Sequence, residues 1–457
     1  MFVALRASRP ARCYKPTKLN QRHTYERIEI IRTAHASRPL SPLSRWGPCV
    51  PPCVWWTIAG SMPKRSFDVL VTVALLSLSC SSSGGGAAVG SPSSDAGVGG
   101  ANDGGGGSQS AGGSQSLGGA TVGSEVQSVV VGDNTACALI SGLVYCWGEP
   151  NSQYAANLKP LREDRLTTPV SAIERSMGPN CALVGGDAYC WNGTGKLWKV
   201  ADLPSGVTAI SGGSSFNCAI AGGKVYCWGR NNLGQLGDGT RTDSSVPVPV
   251  QGLPADVTSI ATGEWFACAQ AGGDVYCWGE GTVGQLGDEI PVTSAFTLRY
   301  STTPVKVQSL PRGVTALAAG LLHACALSDG TMYCWGFNKE GQLGDGTTSP
   351  RSVAAAVPGL SGVTAISAYS YTTCAVAGGV YCWGFRDLLG LTREFDTSPV
   401  SVPFPGNVSA ISVGTGANCA IMDGAIYCWG NNAYGQLGSG SADSSRTPVK
   451  VDFSAFF

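Results

Sequence analysis

Seven times between residues 137 and 430 the chain spells Cys-Ala, a short turn, then Tyr-Cys-Trp. The cysteines pair as Cys137 with Cys146, Cys181 with Cys190, Cys218 with Cys227, Cys268 with Cys277, Cys325 with Cys334, Cys374 with Cys382, and Cys419 with Cys428. In five copies the midpoint of the pair falls on Gly-Gly or Asp-Gly, and in the first on Ser141-Gly142. Such dipeptides suit a two-residue type I′ hairpin, which needs φ > 0 at both central residues. Counting outward from the turn, the two cysteines stand opposite each other in a non-hydrogen-bonded pair, with Cα atoms about 4.5 Å apart. That separation lies within reach of a disulfide. The sixth copy is one residue shorter, and a three-residue loop Ala377-Gly378-Gly379 restores the same pairing. The spacing therefore predicts seven disulfides, one per hairpin. The competing reading is reduced cysteines packed within the strand pair. A metal reading is weak, because facing cysteines nine apart lack ligand spacing and histidine is scarce.

The repeats start 37 to 57 residues apart, in the range of propeller blades. Most contain four strand-like pieces. One precedes the first cysteine (for example Val207-Thr-Ala-Ile210), two flank the turn, and a fourth follows a glycine-rich loop (for example Pro304-Val-Lys-Val307). Seven such units without a helical period predict an all-β fold: a seven-bladed β-propeller of four-stranded antiparallel blades over residues 125–457.

The preceding residues differ in composition. Residues 1–61 hold ten Lys/Arg against two Glu and read as an unstructured leader from a mis-assigned start. Residues 62–79 carry a basic start, an apolar run from Val69 to Leu78 and small residues before Cys80. This is the plan of a secretory signal. Its ending resembles a bacterial lipoprotein signal, which implies lipidation of Cys80. Residues 80–124 form a linker; of the 44 residues after Cys80, 16 are Gly and 11 Ser. Such a tether cannot bury enough apolar surface to order itself. Export to the cell envelope or beyond is the expectation, with membrane attachment only through the lipid.

At Trp228-Gly-Arg-Asn-Asn-Leu-Gly-Gln-Leu-Gly237 the sequence resembles the regulator-of-chromosome-condensation repeat, and Gly-Gln-Leu-Gly recurs at 284–287, 341–344 and 435–438. The first, second and sixth copies lack it; Leu388–Leu391 is a remnant in the sixth. The resemblance implies the propeller more firmly than any function. Relatives include a nucleotide exchange factor for a nuclear GTPase, ubiquitin ligase modules, a plant ultraviolet sensor and secreted bacterial inhibitors. Many carry His two positions before the first cysteine. Here only His323 keeps it, which implies a scaffold role; Phe216, Phe266 and Thr372 match it elsewhere.

Chemistry is scarce. After residue 80, His323 is the only histidine. Gly279-Glu-Gly-Thr-Val-Gly284 matches a phosphate-loop pattern but lacks the required helix signal. Asp238, Asp288 and Asp345 recur in Gly-Asp turns and read as turn formers. No catalytic residue, metal or cofactor is expected. From Cys80 onward 18 Lys/Arg face 27 Asp/Glu, a balance that argues against nucleic acid. The favoured reading is a monomeric, envelope-tethered module binding an unidentified protein or envelope partner through loops on one face. Candidate contacts are Trp265, Leu322 and Tyr371, each three residues before its cysteine, and Phe296, Arg299 and Tyr300 in the insertion Glu289–Thr302. The alternatives are a nucleotide exchange regulator inside the cell and a hydrolase of envelope polymers.

Overall fold

The computed structural model describes residues 125–148, 157–166, 169–175, 179–191, 196–293, 297–386 and 394–456. The leader, signal, Cys80, linker, Phe296 and residues 388–391 lie outside them. All described elements are strands or turns, gathered into seven four-stranded antiparallel sheets. The blades run 126–162, 170–199, 207–249, 257–306, 314–356, 365–402 and 408–450, each built from four consecutive strands. The first strand of each blade packs beside the first strand of the next, and the seventh beside the first, so these strands line the axis.

Each hairpin forms as its turn dipeptide dictates. Positive φ occurs at both central residues in six blades, including Ser141 (50°) with Gly142 (76°) and Asp329 (47°) with Gly330 (69°). The sixth blade closes through the three residues between Val376 and Val380. Every cysteine faces its partner in register, and seven disulfides join them at Cα separations of 4.0–4.1 Å. This is somewhat closer than the ladder average. Strand limits differ slightly from the apolar runs. The fourth strands begin earlier, at Ser244 and Tyr300, because extended backbone continues through the polar approach to each proline. The sixth blade's first strand starts at Ala365, two residues after Val363.

The ring closes without exchanging strands between its ends. After each fourth strand a connector drops an apolar side chain onto the next blade. Leu253 packs in the cluster holding Tyr276 and Trp278, and Phe404 sits 5.4 Å from Trp429. Segment Val451–Phe456 takes the same position on the first blade. Phe453 lies 5.9 Å from Tyr145 and 6.0 Å from Trp147, with Phe456 4.9 Å from Tyr145. Lys159 pairs with Asp452 at 2.6 Å beside it.

Candidate functional site

First strands end, and third strands end, on the same side of the ring. That face therefore carries the loops before the first cysteine and the loops after Tyr-Cys-Trp-Gly. The hairpin turns and blade connectors occupy the other.

Gly-Gln-Leu-Gly is an inter-blade lock. Trp278 donates its indole N–H to the Gln235 carbonyl (2.9 Å), Trp335 to Gln285 (3.0 Å), Trp383 to Gln342 (3.0 Å) and Trp147 to Gln436 (2.8 Å). The two glycines let backbone approach the next blade. A Cβ on Gly234 would lie 2.6 Å from the Ser301 carbonyl, and one on Gly237 would lie 2.8 Å from Trp278 Nε1. Leu236 is fully buried between them. Trp191, Trp228 and Trp429 follow the three blades without the motif. Among the described residues none of their indoles has such an acceptor.

The loop aspartates are turn formers, as their positions suggest. Asp238 accepts from the Thr240 amide (3.0 Å) and Asp345 from that of Thr347 (2.9 Å). Their oxygens converge on an asparagine amide: Asn231 Nδ2 donates to Asp238, Thr240 and the Thr242 carbonyl at 3.1–3.2 Å. The fourth blade has Gly281 in place of that asparagine, and there Arg299 pairs with Asp288 at 2.7 Å. Gly279–Gly284 passes from strand to turn with no helix, so the phosphate-loop pattern is coincidental.

Around the axis, backbone bonds join the loops before the first cysteine in blades three to six into a chain, and that of the seventh blade to that of the first. Ser214 donates to the Glu264 carbonyl (3.2 Å), Glu264 to Leu321 (2.9 Å), Leu321 to Ser370 (2.7 Å) and Thr415 to Gly132 (3.3 Å). Trp265, Leu322 and Tyr371 ride on this chain in adjacent blades. Each is half-buried, and each carbonyl accepts from the residue after Trp-Gly: Glu280, Phe337 and Phe385. Phe337 stacks obliquely on Tyr371 at 5.7 Å. Beside Trp265, burial and the neighbouring Glu280 push the Glu264 carboxyl up to about 7. The insertion residues stand apart, toward the rim. Arg299 is held by Asp288, and exposed Tyr300 carries Arg241 over its ring at 4.7 Å. The structure therefore groups Trp265, Leu322 and Tyr371 and separates them from Arg299 and Tyr300.

His323 is scaffold. It is fully buried, and burial holds its imidazole down to about 3. Thr373 gives its own proton to the Gln342 carbonyl (2.8 Å), so His323 Nε2 must donate to Thr373 Oγ1 (2.8 Å). Nδ1 has no partner. Tyr369 escaped the sequence reading. Five blades have glycine at its position (Gly132, Gly213, Gly263, Gly320, Gly414), where a Cβ on Gly263 would sit 2.7 Å from the Gly320 carbonyl. Tyr369 instead reaches the Asp133 carboxylate at 3.3 Å, which also accepts from Thr415 at 2.6 Å. The break in that glycine column was the available signal.

Among the described residues no group of three His, Cys, Asp or Glu is placed to hold a metal. The described residues thus form a closed ring of disulfide-stapled blades, four of whose junctions carry the Trp–Gln bond. The family model for the RCC1-like domain matches residues 192–456, more than half of the chain, and the chain belongs to that family. It is 31% identical to the Arabidopsis thaliana ultraviolet-B receptor UVR8 over 159 residues, 32% of this chain and 36% of the receptor. It is 32% identical to the Mus musculus RCC1-like G exchanging factor-like protein over 149 residues, 30% of this chain and 32% of that protein. It thus spans about a third of these curated relatives. The crystal structure of Prp20p from Saccharomyces cerevisiae shares the fold, with a TM-score of 0.58 at 19% identity over 73% of this chain and 88% of that one.

Proposed function

We propose that this propeller is a non-enzymatic binding module carried on the cell envelope by a lipidated Cys80 and the linker 81–124. It recognises a protein partner through the axial face of blades four to six. The observation that carries the reading is the alignment of Trp265, Leu322 and Tyr371 on loops already joined edge to edge. Large aromatic side chains such as Trp265 and Tyr371, held on a rigid frame, lose little entropy on binding and are frequent anchors of an interface. Seven disulfides favour an oxidising compartment, and hence export. Nucleotide exchange inside the cell is the second reading, motivated by the exchanging-factor relative; it needs fourteen reduced thiols.

Two experiments test this. Labelling with a lipid precursor, combined with nonreducing mass mapping of fractionated cells, should place label on Cys80 and find seven disulfides. Unlabelled cytosolic protein with free thiols defeats the envelope reading. Trp265→Ala with Tyr371→Ala should abolish partner capture from cell envelopes, and an unchanged capture profile defeats the face assignment.

A further inference from the structure

The fourth strand of every blade is an open sheet edge, and an unguarded edge is a template for another strand. Five blades guard theirs with proline in a single column. Pro160, Pro247, Pro304, Pro399 and Pro448 each precede the residue paired with the second cysteine. Alternation along the ladder explains the column. Two residues beyond the cysteine's partner, Val250, Val307 and Val451 donate inward to Val225, Val275 and Ile426. The residue before that partner therefore turns its N–H outward, and proline deletes this donor. The second blade is guarded differently, because its fourth strand, Leu197–Lys199, has only three residues.

The fifth blade has neither the proline nor the shortened strand; it shares with the proline-guarded blades the register shift before the cysteine's partner. Its fourth strand Arg351–Ala356 is full length, and the column residue is Ala354, just before Ala355 opposite Cys334. Val357 donates inward to Met332, so the outward amides are those of Ala354 and Ala356. The start of the edge is occupied: Glu289 of the preceding blade donates to the Ser352 carbonyl at 3.1 Å. From Val353 to Ala356 the strand carries no charged residue; Val353 and Ala356 are exposed, while the Ala354 side chain is buried. Val353 is 39% exposed, and Ile290, next to Glu289, is 49% exposed.

We propose that Val353–Ala356 is a strand-addition site for an extended apolar segment of a partner protein, paired through the backbone of Ala354 and Ala356. A second copy of this chain is not the occupant. Four residues of edge bury far less than the roughly 800 Å² per partner of a stable protein interface. An added peptide strand instead draws its affinity from main-chain bonds. The exposed Val353 and Ile290 select β-branched or aliphatic residues at alternate positions. This rim site is independent of the axial-face reading.

The test uses the full chain with its disulfides formed and the blocked peptide acetyl-Lys-Thr-Val-Thr-Val-Thr-Lys-amide. Hydrogen exchange is read on the fragment covering residues 353–357. Saturating peptide should slow that fragment at least fivefold in the natural chain, fail to do so in Ala354→Pro, and do so weakly in Val353→Lys. Both variants should keep the natural unfolding midpoint; where Ala354→Pro does not, Val353→Lys decides. Equal slowing in the variants, no slowing in the natural chain, or protection that grows with protein concentration alone overturns the proposal.

Discussion

Trp278 of the fourth blade donates its indole N–H to the backbone carbonyl of Gln235 in the third, at 2.9 Å, with both residues fully buried. The same bond recurs wherever Gly-Gln-Leu-Gly precedes a blade. The motif thus ties neighbouring blades into the ring.

Removing that donor should cost more than removing one without an acceptor. Trp278→Phe keeps the ring but strands the Gln235 carbonyl, an expected loss of about 1–3 kcal/mol. Trp228→Phe, at a junction lacking the motif, should cost less than about 1 kcal/mol. Urea midpoints measured under oxidising conditions check the difference; equal losses would show that the bond contributes nothing.

Acid should weaken the fold through His323. Its imidazole titrates near 3 when folded against 6.5 in the unfolded chain, and burial is the cause. Below pH 6.5 the unfolded chain takes up a proton that the native site refuses. Stability is therefore complete above 6.5 and falls toward pH 3 by up to about 1.4 kcal/mol per unit. His323→Phe, the residue found at Phe216 and Phe266, should flatten the melting temperature between pH 6.5 and 4.

Glu264 acts in the opposite direction. Burial and Glu280 raise its carboxyl from 4.5 to about 7. Its contribution is present below pH 4.5 and is lost as pH rises through 7. Glu264→Gln should raise the melting temperature at pH 8 and leave it unchanged at pH 4. A variant that melts alike at both values removes Glu264 from the account.

The ring's closing contact should be its most easily opened. Phe453→Ala with Phe456→Ala removes the aromatic contacts on Tyr145 and Trp147, worth about 1–3 kcal/mol together. Hydrogen exchange should rise first in the first and seventh blades. Uniform loss of protection around the ring would show that the segment is no clasp.

The hairpins were legible from local pattern. Gly222-Gly223 and Asp423-Gly424 admit the positive φ of a two-residue turn, and ladder alternation then sets Cys218 against Cys227 and Cys419 against Cys428. Turn geometry and register depend only on neighbours in the chain, so a single repeat carries them. The reading of the aspartates as turn formers also rested on local chemistry, whereas that of His323 rested on the family resemblance.

Relations between blades were hidden, because they join residues tens or hundreds of positions apart whose identities do not announce a partner. A backbone carbonyl such as Gln235's looks like any other until packing brings Trp278 to it. Arg299 was a candidate binding contact in the sequence, yet folding brings it to Asp288, as it brings Arg351 to Asp345. The closing position of Phe453 needs Tyr145 and Trp147 folded into a finished first blade. Composition and spacing settle how each blade folds, since a hairpin is a short-range object. How seven blades become one ring, and which edge it leaves open, is settled by long-range packing, where burial of a donor, a glycine or an alanine acquires its meaning from the neighbouring blade.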